Sequence, residues 1–374
     1  MDTSELNIGI VGAGGFANFA SQAFLKVPGI KLIAVTDINK NAAEQMSNEF
    51  GLTVYNEIGQ MLTDTNIHLI YIATPPYLHY TQSKMALLAG KHVVCEKPAA
   101  LKTSEAEELL ELARSRQLLY VVNLMQRYNP LYKKVKTIIQ EKLLGNFLHG
   151  FFENYASDES LSPAHWFWDE SRSGGIFIEH GVHFFDLFEG WLGEGRVAGA
   201  WQLQRPDIKE KIIDRVQATV LYNNGIVNFY HGFDQPTMLD RQEMRLEFEL
   251  GEITLYEWVP VRIKLHGLLK SGQLQRLQEI VGMTATIHHH KTKEEDRQVK
   301  GRFCEIAFED YITLEYENTS GKQRLYQQML TAMITDQYEW IKNHNYIRVI
   351  DDSNAVQSLK MAEHANRMAN NFNY

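Results

Sequence analysis

The segment from Gly175 to Asp186, GIFIEHGVHFFD, places Glu179, His180, His183 and Asp186 in an otherwise apolar stretch. An imidazole can hold or move a proton near neutral pH, and a nearby carboxylate can orient it. On a helix, Glu179 and His183 share a face, whereas His180 lies about 100° further round than Glu179. The spacing predicts an acid–base site. In this site His183 moves a proton, and Glu179 either orients His183 or binds the same substrate.

A metal site is the alternative interpretation of this cluster. Glu179, His180 and His183 do not match the HExxH spacing of helical zinc ligands, and no second group of ligands is evident in the sequence. The run 288–290, three histidines, could join them only through the folding of distant segments. We therefore predict no metal. A further alternative is that these polar groups only satisfy a buried helix.

A second candidate stands at the end of an apolar run, in VVCEKPAA. Lys97 directly follows a predicted buried strand, so its charge needs a partner or a ligand. Pro98 can adopt a cis peptide bond and fix the shape of the loop. If Lys97 points into a cleft, it can hydrogen-bond a substrate hydroxyl and stabilise developing oxyanion charge. A lysine extending into solvent is the alternative.

A glycine-rich segment near the start of the chain, GIVGAGGFA, matches the dinucleotide-binding pattern GxGxxA. Gly12 permits the tight turn, Gly14 lets the backbone approach a pyrophosphate, and Ala17 lets the following helix pack closely on the strand. The next apolar run ends in Asp37, which is placed to accept hydrogen bonds from a ribose. The segment predicts bound NAD. NADP is less favoured, with only the neighbouring Lys40 to support it.

The third apolar run, HLIYIAT, leads into Thr74, Pro75 and Pro76. These residues follow the carboxyl end of a predicted parallel strand, where ligands bind in such sheets, and the prolines stiffen the loop. A rigid turn without a ligand is the alternative. His79 is predicted to begin the next helix.

These candidates need a scaffold of alternating strands and helices. Up to residue 128, short apolar runs alternate with helical patterns, which predicts an α/β domain with a doubly wound parallel sheet. Ser104 and Glu107 form a capping box for one of the helices. The predicted strands are Leu6–Gly14, Lys31–Asp37, His68–Thr74, Lys91–Pro98 and Leu118–Leu124.

The pattern changes after Pro130, where longer alternating runs replace the short apolar ones. The run 223–225, Asn-Asn-Gly, is a hairpin signal, and Gly251 lies between two further runs. Ser353 is a candidate N-cap for a last helix over about residues 354–371. We predict a first domain over residues 1–128 and a second, α+β domain over 129–374, with a large, mostly antiparallel open sheet.

Composition excludes several classes of function. The chain of 374 residues has a net charge of −9, and an acidic balance disfavours non-specific nucleic-acid binding. Two cysteines cannot form a disulfide framework or a cysteine-rich zinc site. The sequence has no apolar run long enough to span a membrane, and its acidic first residues do not resemble a secretory signal. We expect a cytoplasmic protein that binds neither nucleic acid nor membrane.

The motifs GxGxxA, ATPPYLH, EKP, QRYNP and GG…EHGVHFFD occur in the order typical of the glucose–fructose oxidoreductase, inositol dehydrogenase and MocA family, and the chain resembles this family along essentially its whole length. The resemblance implies a Rossmann domain, a carboxy-terminal domain with a large sheet, and NAD(P)-dependent oxidation or reduction of a sugar or polyol hydroxyl. It implies that Lys97 and His183 flank the reacting carbon. The family usually has Asp where this chain has Glu179. A last helix packed on the nucleotide domain and a homodimer or homotetramer are also implied.

We therefore predict hydride transfer between NAD and a small carbohydrate, namely a sugar, an aminosugar or an inositol-like polyol. One alternative is a glycosidase or lyase that uses tightly bound NAD transiently; another is a non-catalytic dinucleotide-binding regulator. On the substrate side, Arg127 lies near the site by resemblance, with a salt bridge at the domain junction as its alternative. Trp166 and Trp168 could pack on sugar C–H surfaces or lie in the core.

The predicted site residues form three groups. The catalytic residues are Lys97, Glu179 and His183. The cofactor-binding residues are Gly12, Gly14, Gly15, Phe16, Ala17, Asp37, Ile38, Thr74, Pro75, Pro76, His79, Glu96 and Lys97, and the substrate-binding residues are Arg127, Asn154, Trp166, Trp168, His180 and Tyr230.

Overall fold

A computed structural model describes residues 5–206, 208–294 and 297–371. Residues 1–4, on which the expectation of no secretory signal partly rests, lie outside the described residues. In the described part of the chain, no helix combines the length and apolarity needed to cross a membrane. Within the same ranges, no three His, Cys, Asp or Glu side chains are arranged to hold a metal ion.

The described residues form two large sheets with helices packed on them. The strands are β1 Leu6–Val11, β2 Ile30–Thr36, β3 Thr53–Val54, β4 Leu69–Ile72, β5 His92–Cys95, β6 Tyr120–Val122, β7 Phe147–Tyr155, β8 Arg196–Gln204, β9 Ile213–Tyr222, β10 Gly225–Gly232, β11 Arg241–Phe248, β12 Gly251–Tyr256, β13 Arg262–Leu269, β14 Thr286–His289, β15 Gln298–Gly301, β16 Cys304–Ala307 and β17 Asp310–Glu317. The helices are α1 Gly15–Phe24, α2 Lys40–Phe50, α3 Ile58–Leu62, α4 His79–Leu88, α5 Thr103–Ser115, α6 Pro130–Gln140, α7 Glu170–Ser173, α8 Val182–Leu192, α9 Gln273–Val281, α10 Lys322–Lys342 and α11 Asp352–Asn371.

The amino-terminal sheet is parallel throughout, in the order β3-β2-β1-β4-β5-β6. Its central strands are buried, as expected for a parallel sheet covered on both faces. The predicted doubly wound sheet is confirmed. β3 was not predicted, because two exposed residues give no hydrophobic pattern. The strand order reverses beside β1 and β4, which is where ligands bind in such sheets.

The carboxy-terminal sheet has the order β14-β17-β13-β12-β11-β7-β10-β9-β8. All its neighbours are antiparallel except β7 and β10, which run parallel. The predicted large, mostly antiparallel sheet is therefore confirmed. Both predicted hairpins are present, since β9 and β10 flank residues 223–224 and β12 begins at Gly251.

Both predicted helix caps are wrong. α5 begins at Thr103, and its backbone N–H donates to Glu363 of α11 at 2.9 Å, so a distant carboxylate takes the place of the predicted Ser104 cap. α11 begins at Asp352, and Asp351 accepts from the backbone N–H of Ser353 at 2.8 Å. In both cases an acidic side chain supplies the acceptor that a serine was expected to provide.

The last two helices lie against the amino-terminal sheet's helices. α10 runs parallel to α1, because Gln327 donates to the carbonyl of Phe19 at 2.9 Å and, further along, Thr331 donates to that of Ala23 at 3.2 Å. α11 packs on α5, where Arg114 pairs with Asp352 at 2.8 Å. The chain therefore returns to the amino-terminal half after completing the second sheet.

Candidate active site

One large cavity, of about 1320 Å³, lies between the carboxyl edge of the parallel sheet and the second sheet. Its wall includes the ends of β1, β2, β4 and β5, the start of α8, and residues from β7, β11 and α10. A dinucleotide and a small substrate can therefore meet in one continuous space. The predicted residues that line it are Gly12, Gly14, Phe16, Asp37, Ile38, Thr74, Pro75, Pro76, Glu96, Lys97, Asn154, Trp166, Trp168, Glu179, His180 and His183.

The glycine-rich turn fits a dinucleotide. Gly12 has φ +98°, and a Cβ there would lie 2.6 Å from the carbonyl oxygen of Ala73, so only glycine fits. At Gly14 a Cβ would meet no atom of the described residues within 4 Å, which leaves open space in front of the amino terminus of α1. Asp37 accepts from the backbone N–H of Ala13 and of Asn39, both at 2.7 Å, and lines the cavity. These residues would hold the pyrophosphate and a ribose of NAD.

Substitutions of Gly12 and Gly14 should distinguish an effect on folding from an effect on NAD binding. Gly12→Ala should lower both the melting temperature and NAD affinity, because the new methyl group meets backbone that cannot move aside. Gly14→Ala should leave the melting temperature of the nucleotide-free protein nearly unchanged and weaken NAD binding at least about tenfold, since the methyl group occupies the phosphate's space. Thermal unfolding and fluorescence titration with NAD measure the two effects. Normal NAD affinity in Gly14→Ala would contradict this placement of the pyrophosphate.

Lys97 and Glu179 meet across the two halves of the chain. Lys97 follows β5, and its Nζ donates to the backbone carbonyl of Glu179 at 2.8 Å and to the Glu179 carboxylate. Both side chains are largely buried and line the cavity. The peptide bond between Lys97 and Pro98 is cis, as the sequence allowed. The ammonium group is thus held at one place in the cavity wall.

His183 lies in the first turn of α8 and lines the same cavity. Burial, and secondarily the positive charge of Lys97, hold the pKa of His183 well below its ordinary value, so the ring is neutral and can accept a proton. Its Nδ1 is buried and has no hydrogen-bond partner in the described protein. Because Glu179 binds Lys97, the structure does not show the predicted orientation of His183 by Glu179.

The local backbone explains this difference. Residues Phe177–Gly181 form a π-helical turn directly before α8, so Glu179 and His183 are not spaced as on a regular α-helix. The turn follows Gly174 and Gly175, both with positive φ, and a Cβ on Gly174 would lie 2.7 Å from Ile178. Gly174 therefore permits the close approach of Ile178 in the turn that carries Glu179.

Two buried groups support the strand end that carries Lys97. Glu96 accepts from the Tyr71 hydroxyl at 2.7 Å and from the Asn123 amide at 2.9 Å, and burial raises its pKa. His79 begins α4 as predicted, and its ring nitrogens face the carbonyls of Thr74 and Pro98 at 2.6 and 2.7 Å. His79 does not line the cavity; it ties together two loops that do.

Arg127 and Tyr230 are not brought to the cavity. Arg127 forms a buried ion pair with Asp186 of α8, with its Nε 2.9 Å from Oδ2, which matches the salt-bridge alternative. The ring of Tyr230 packs on Tyr155 at 5.2 Å between ring centroids, whereas its neighbour His231 lies on the opposite face of β10, against the π-helical turn. Gly15 and Ala17, both in the first turn of α1, also do not line the cavity.

The other residues predicted to bind substrate do line the cavity. Asn154 donates to the carbonyl of Gly232 at 3.0 Å, and it lines the cavity together with Trp166 and Trp168. The Nε1 of Trp168 is buried without a hydrogen-bond partner among the described residues. His180 also faces the cavity, and its Nδ1 lies 2.9 Å from the Nδ1 of His231.

Other wall residues were missed from the sequence. Trp258, in the turn after β12, lies with its ring 6.2 Å from that of His183, and Tyr326 of α10 lies 5.4 Å from Trp258. No spacing in the sequence connects these aromatics, because they come from elements far apart in the chain. The missed polar wall residues include Asn39, Asn56, Glu57, Gln82, Asn123, Ser157, Asp158, Glu159, His165, Thr237, Asp240, Gln242 and Lys322.

Comparison with known proteins gives the family. The GFO/IDH/MocA model, described as an oxidoreductase family with an NAD-binding Rossmann fold, matches residues 6–124. The model of the GFO/IDH/MocA C-terminal domain matches residues 132–254. The chain belongs to the GFO/IDH/MocA family of oxidoreductases. The resemblance, the class of enzyme and the NAD cofactor predicted from the sequence are confirmed.

Individual relatives carry more specific names. Oxidoreductase P35 of Formosa agariphila is 26% identical over 287 residues, which is 74% of this chain and 88% of that protein. The scyllo-inositol 2-dehydrogenase (NAD(+)) of Bacillus subtilis is 28% identical over 191 residues, 50% of this chain and 54% of that protein. The WlbA dehydrogenase from Bordetella pertussis, solved in complex with NADH and UDP-GlcNAcA, matches with a TM-score of 0.77 at 17% identity, covering 98% of this chain and 96% of that one. This structural likeness shows the shared fold.

Proposed function

We propose that the protein transfers hydride between NAD and a hydroxyl-bearing carbon of a sugar, aminosugar or inositol-like polyol. One observation carries this proposal: Lys97 and neutral His183 line one cavity together with the predicted dinucleotide-binding residues and with polar and aromatic side chains. The NAD-linked inositol dehydrogenase among the relatives supports the same class of substrate. The acidic Asp37 at the ribose position supports NAD rather than NADP.

Each of the three side chains has a different role in oxidation. Bound NAD supplies the acceptor for the hydride that leaves the substrate carbon. Lys97 donates a hydrogen bond to the reacting oxygen and stabilises its developing negative charge. His183 accepts the hydroxyl proton, which its neutral state allows. Glu179 holds the Lys97 ammonium in place. In carbonyl reduction, the hydride and the proton move in the opposite direction.

Acidic groups at the substrate end favour a substrate without negative charge. Asp158, Glu159 and Asp240 line this end. Asp158 pairs with Arg205 at 2.8 Å, whereas no lysine or arginine of the described chain forms an ion pair with Glu159 or Asp240. A phosphate or carboxylate bound here would face like charge.

The cations of the cavity wall do not offset these acids. The described lysines and arginines that line the cavity are Lys97 and Lys322. Lys97 is paired with Glu179, and Lys322 is paired with Glu257 at 2.9 Å. Neutral polyols and amino sugars therefore fit the proposal better than sugar phosphates or nucleotide sugars.

Nicotinamide absorbance tests the proposal. Purified protein is mixed with NAD and with myo-inositol, glucose, glucosamine or glucose 6-phosphate, and Lys97→Ala is the control. We expect NADH from a neutral or amino compound, and at least about a hundredfold slower formation in Lys97→Ala, because one oxyanion donor is lost. Turnover of only the phosphorylated sugar would contradict the charge argument. If bound nucleotide is present but no compound yields NADH, cleavage of glycosides becomes the reaction to assay.

The pH dependence of kcat/KM should follow His183. A base with a lowered pKa stays unprotonated as the pH falls, so activity should persist below pH 6.5, the ordinary histidine pKa, and fall only once His183 is protonated. Initial rates across the acid range measure this limb. An acid limb centred at or above pH 6.5 would contradict the assignment of His183 as the buried base.

A further inference from the structure

His180 and His231 form a pair of imidazoles beside the reacting centre that the proposed chemistry does not use. His180 belongs to the π-helical turn and lines the cavity, and His231 lies on β10 behind it. Their Nδ1 atoms are 2.9 Å apart, so one Nδ1 carries a proton and the other accepts it. Burial holds the pKa of His180 well below its ordinary value and lowers that of His231 to about 3. Each ring is therefore neutral and has one proton.

The surroundings of His231 determine which ring donates. His231 is 0% exposed, and its Nε2 is buried without a hydrogen-bond partner in residues 5–206, 208–294 and 297–371. Its ring lies against that of Phe152, and the Nε2 lies 3.7 Å from where a Cβ of Gly181 would be. A proton on this Nε2 would bury an unpaired N–H, which is rarer and more costly than an unpaired acceptor. The proton of His231 therefore lies on Nδ1 and is donated to His180.

We propose that His231 fixes the tautomer of His180, so that His180 presents its Nε2–H to the cavity as a hydrogen-bond donor for an oxygen of the sugar. The Nδ1 of His180 accepts from His231, which leaves Nε2 as the protonated nitrogen. His183 then moves the proton, and His180 recognises a neighbouring hydroxyl, ring or carbonyl oxygen without changing its own protonation. This substrate role rests on the proposed function, and His231 is a positioning residue.

Nitrogen NMR of protein labelled with ¹⁵N-histidine tests the tautomer without any substrate. The signals are assigned with His180→Gln and His231→Phe, each checked for folding by thermal unfolding and NAD binding. We expect His180 to show an unprotonated Nδ1 and a protonated Nε2 across the neutral pH range, and His231 to show the reverse. A protonated Nδ1 on His180, or a doubly protonated ring, would overturn the proposal even if the enzyme's substrate is still unknown.

Kinetics with the substrate found in the absorbance assay test recognition. His180→Leu removes the donor, whereas the amide of His180→Gln can place an N–H near the original Nε2. We expect KM to rise about tenfold in His180→Leu, the effect of one lost hydrogen bond, and less in His180→Gln. The acid limb of the pH profile should not move in either variant. Equal losses in both variants, or a fall in kcat with a shifted pH profile, would contradict a donor role.

Discussion

His183→Ala should lower kcat by roughly 100- to 10,000-fold, the usual contribution of a positioned acid–base group. The proton of the substrate hydroxyl would have to pass to water, while Lys97 would still bind the reacting oxygen. KM and NAD affinity should change little, because His183 acts on the proton during the reaction. Steady-state kinetics with the substrate from the absorbance assay measure kcat and KM, and titration with NAD measures the cofactor affinity.

The control for this variant is His149→Ala. His149 lies on β7 of the second sheet, where its Nε2 contacts Asn228 at 3.2 Å, and it does not line the cavity. The His149→Ala variant should keep kcat within about threefold of the parent value. Added imidazole should partly restore His183→Ala, because a free base can enter the space of the lost ring. A kcat in His183→Ala within tenfold of the parent would reject His183 as the base.

Arg127→Met should destabilise the protein by about 3–5 kcal/mol, because it leaves a buried carboxylate without its partner. Asp186 is 1% exposed, and it receives two hydrogen bonds from Arg127, one to its carboxylate and one to its backbone carbonyl. Burial raises the pKa of Asp186 to about 6 even with Arg127 present. Chemical denaturation with urea measures the loss.

Two controls apply to Arg127→Met: the pH dependence of the stability loss, and a variant that breaks an exposed ion pair. Removing Arg127 raises the folded pKa of Asp186 further above its unfolded value, so the deficit should grow as pH rises and shrink in acid, where Asp186 is protonated. Arg276→Met breaks an exposed pair with Glu141, which solvent screens, and should lower the free energy of unfolding far less than Arg127→Met. Equal losses in the two variants would mean that the buried pair contributes no more than a surface one.

The sequence predicted the parts of the site that depend on local pattern. Gly12 and Asp37 stand at the ends of neighbouring strands, and a parallel sheet brings such ends to one edge. The same rule predicted that Lys97, at the end of another strand, lies at this edge. The order of the motifs then indicated the family. The resemblance to this family implied that Lys97 and His183 lie in one cavity.

Contacts that depend on tertiary geometry could not be predicted. Glu179 was expected to orient His183, because a regular helix puts both on one face, but the π-helical turn changes that spacing. Its actual partner, Lys97, is 82 residues away in the chain. His180 meets His231 only because the π-helical turn packs against β10, a strand about 50 residues further along the chain. No periodicity in the sequence encodes these distances.

The return of α10 and α11 to the first sheet has a consequence for synthesis on the ribosome. Domains generally fold in the order in which they emerge, from the amino terminus onward. Here the nucleotide-binding half is made first, yet part of the packing of α1 and α5 comes from residues 322–371, with α10 on α1 and α11 on α5. The half that is translated first is therefore the half that is completed last, and a truncated chain would leave its helices uncovered.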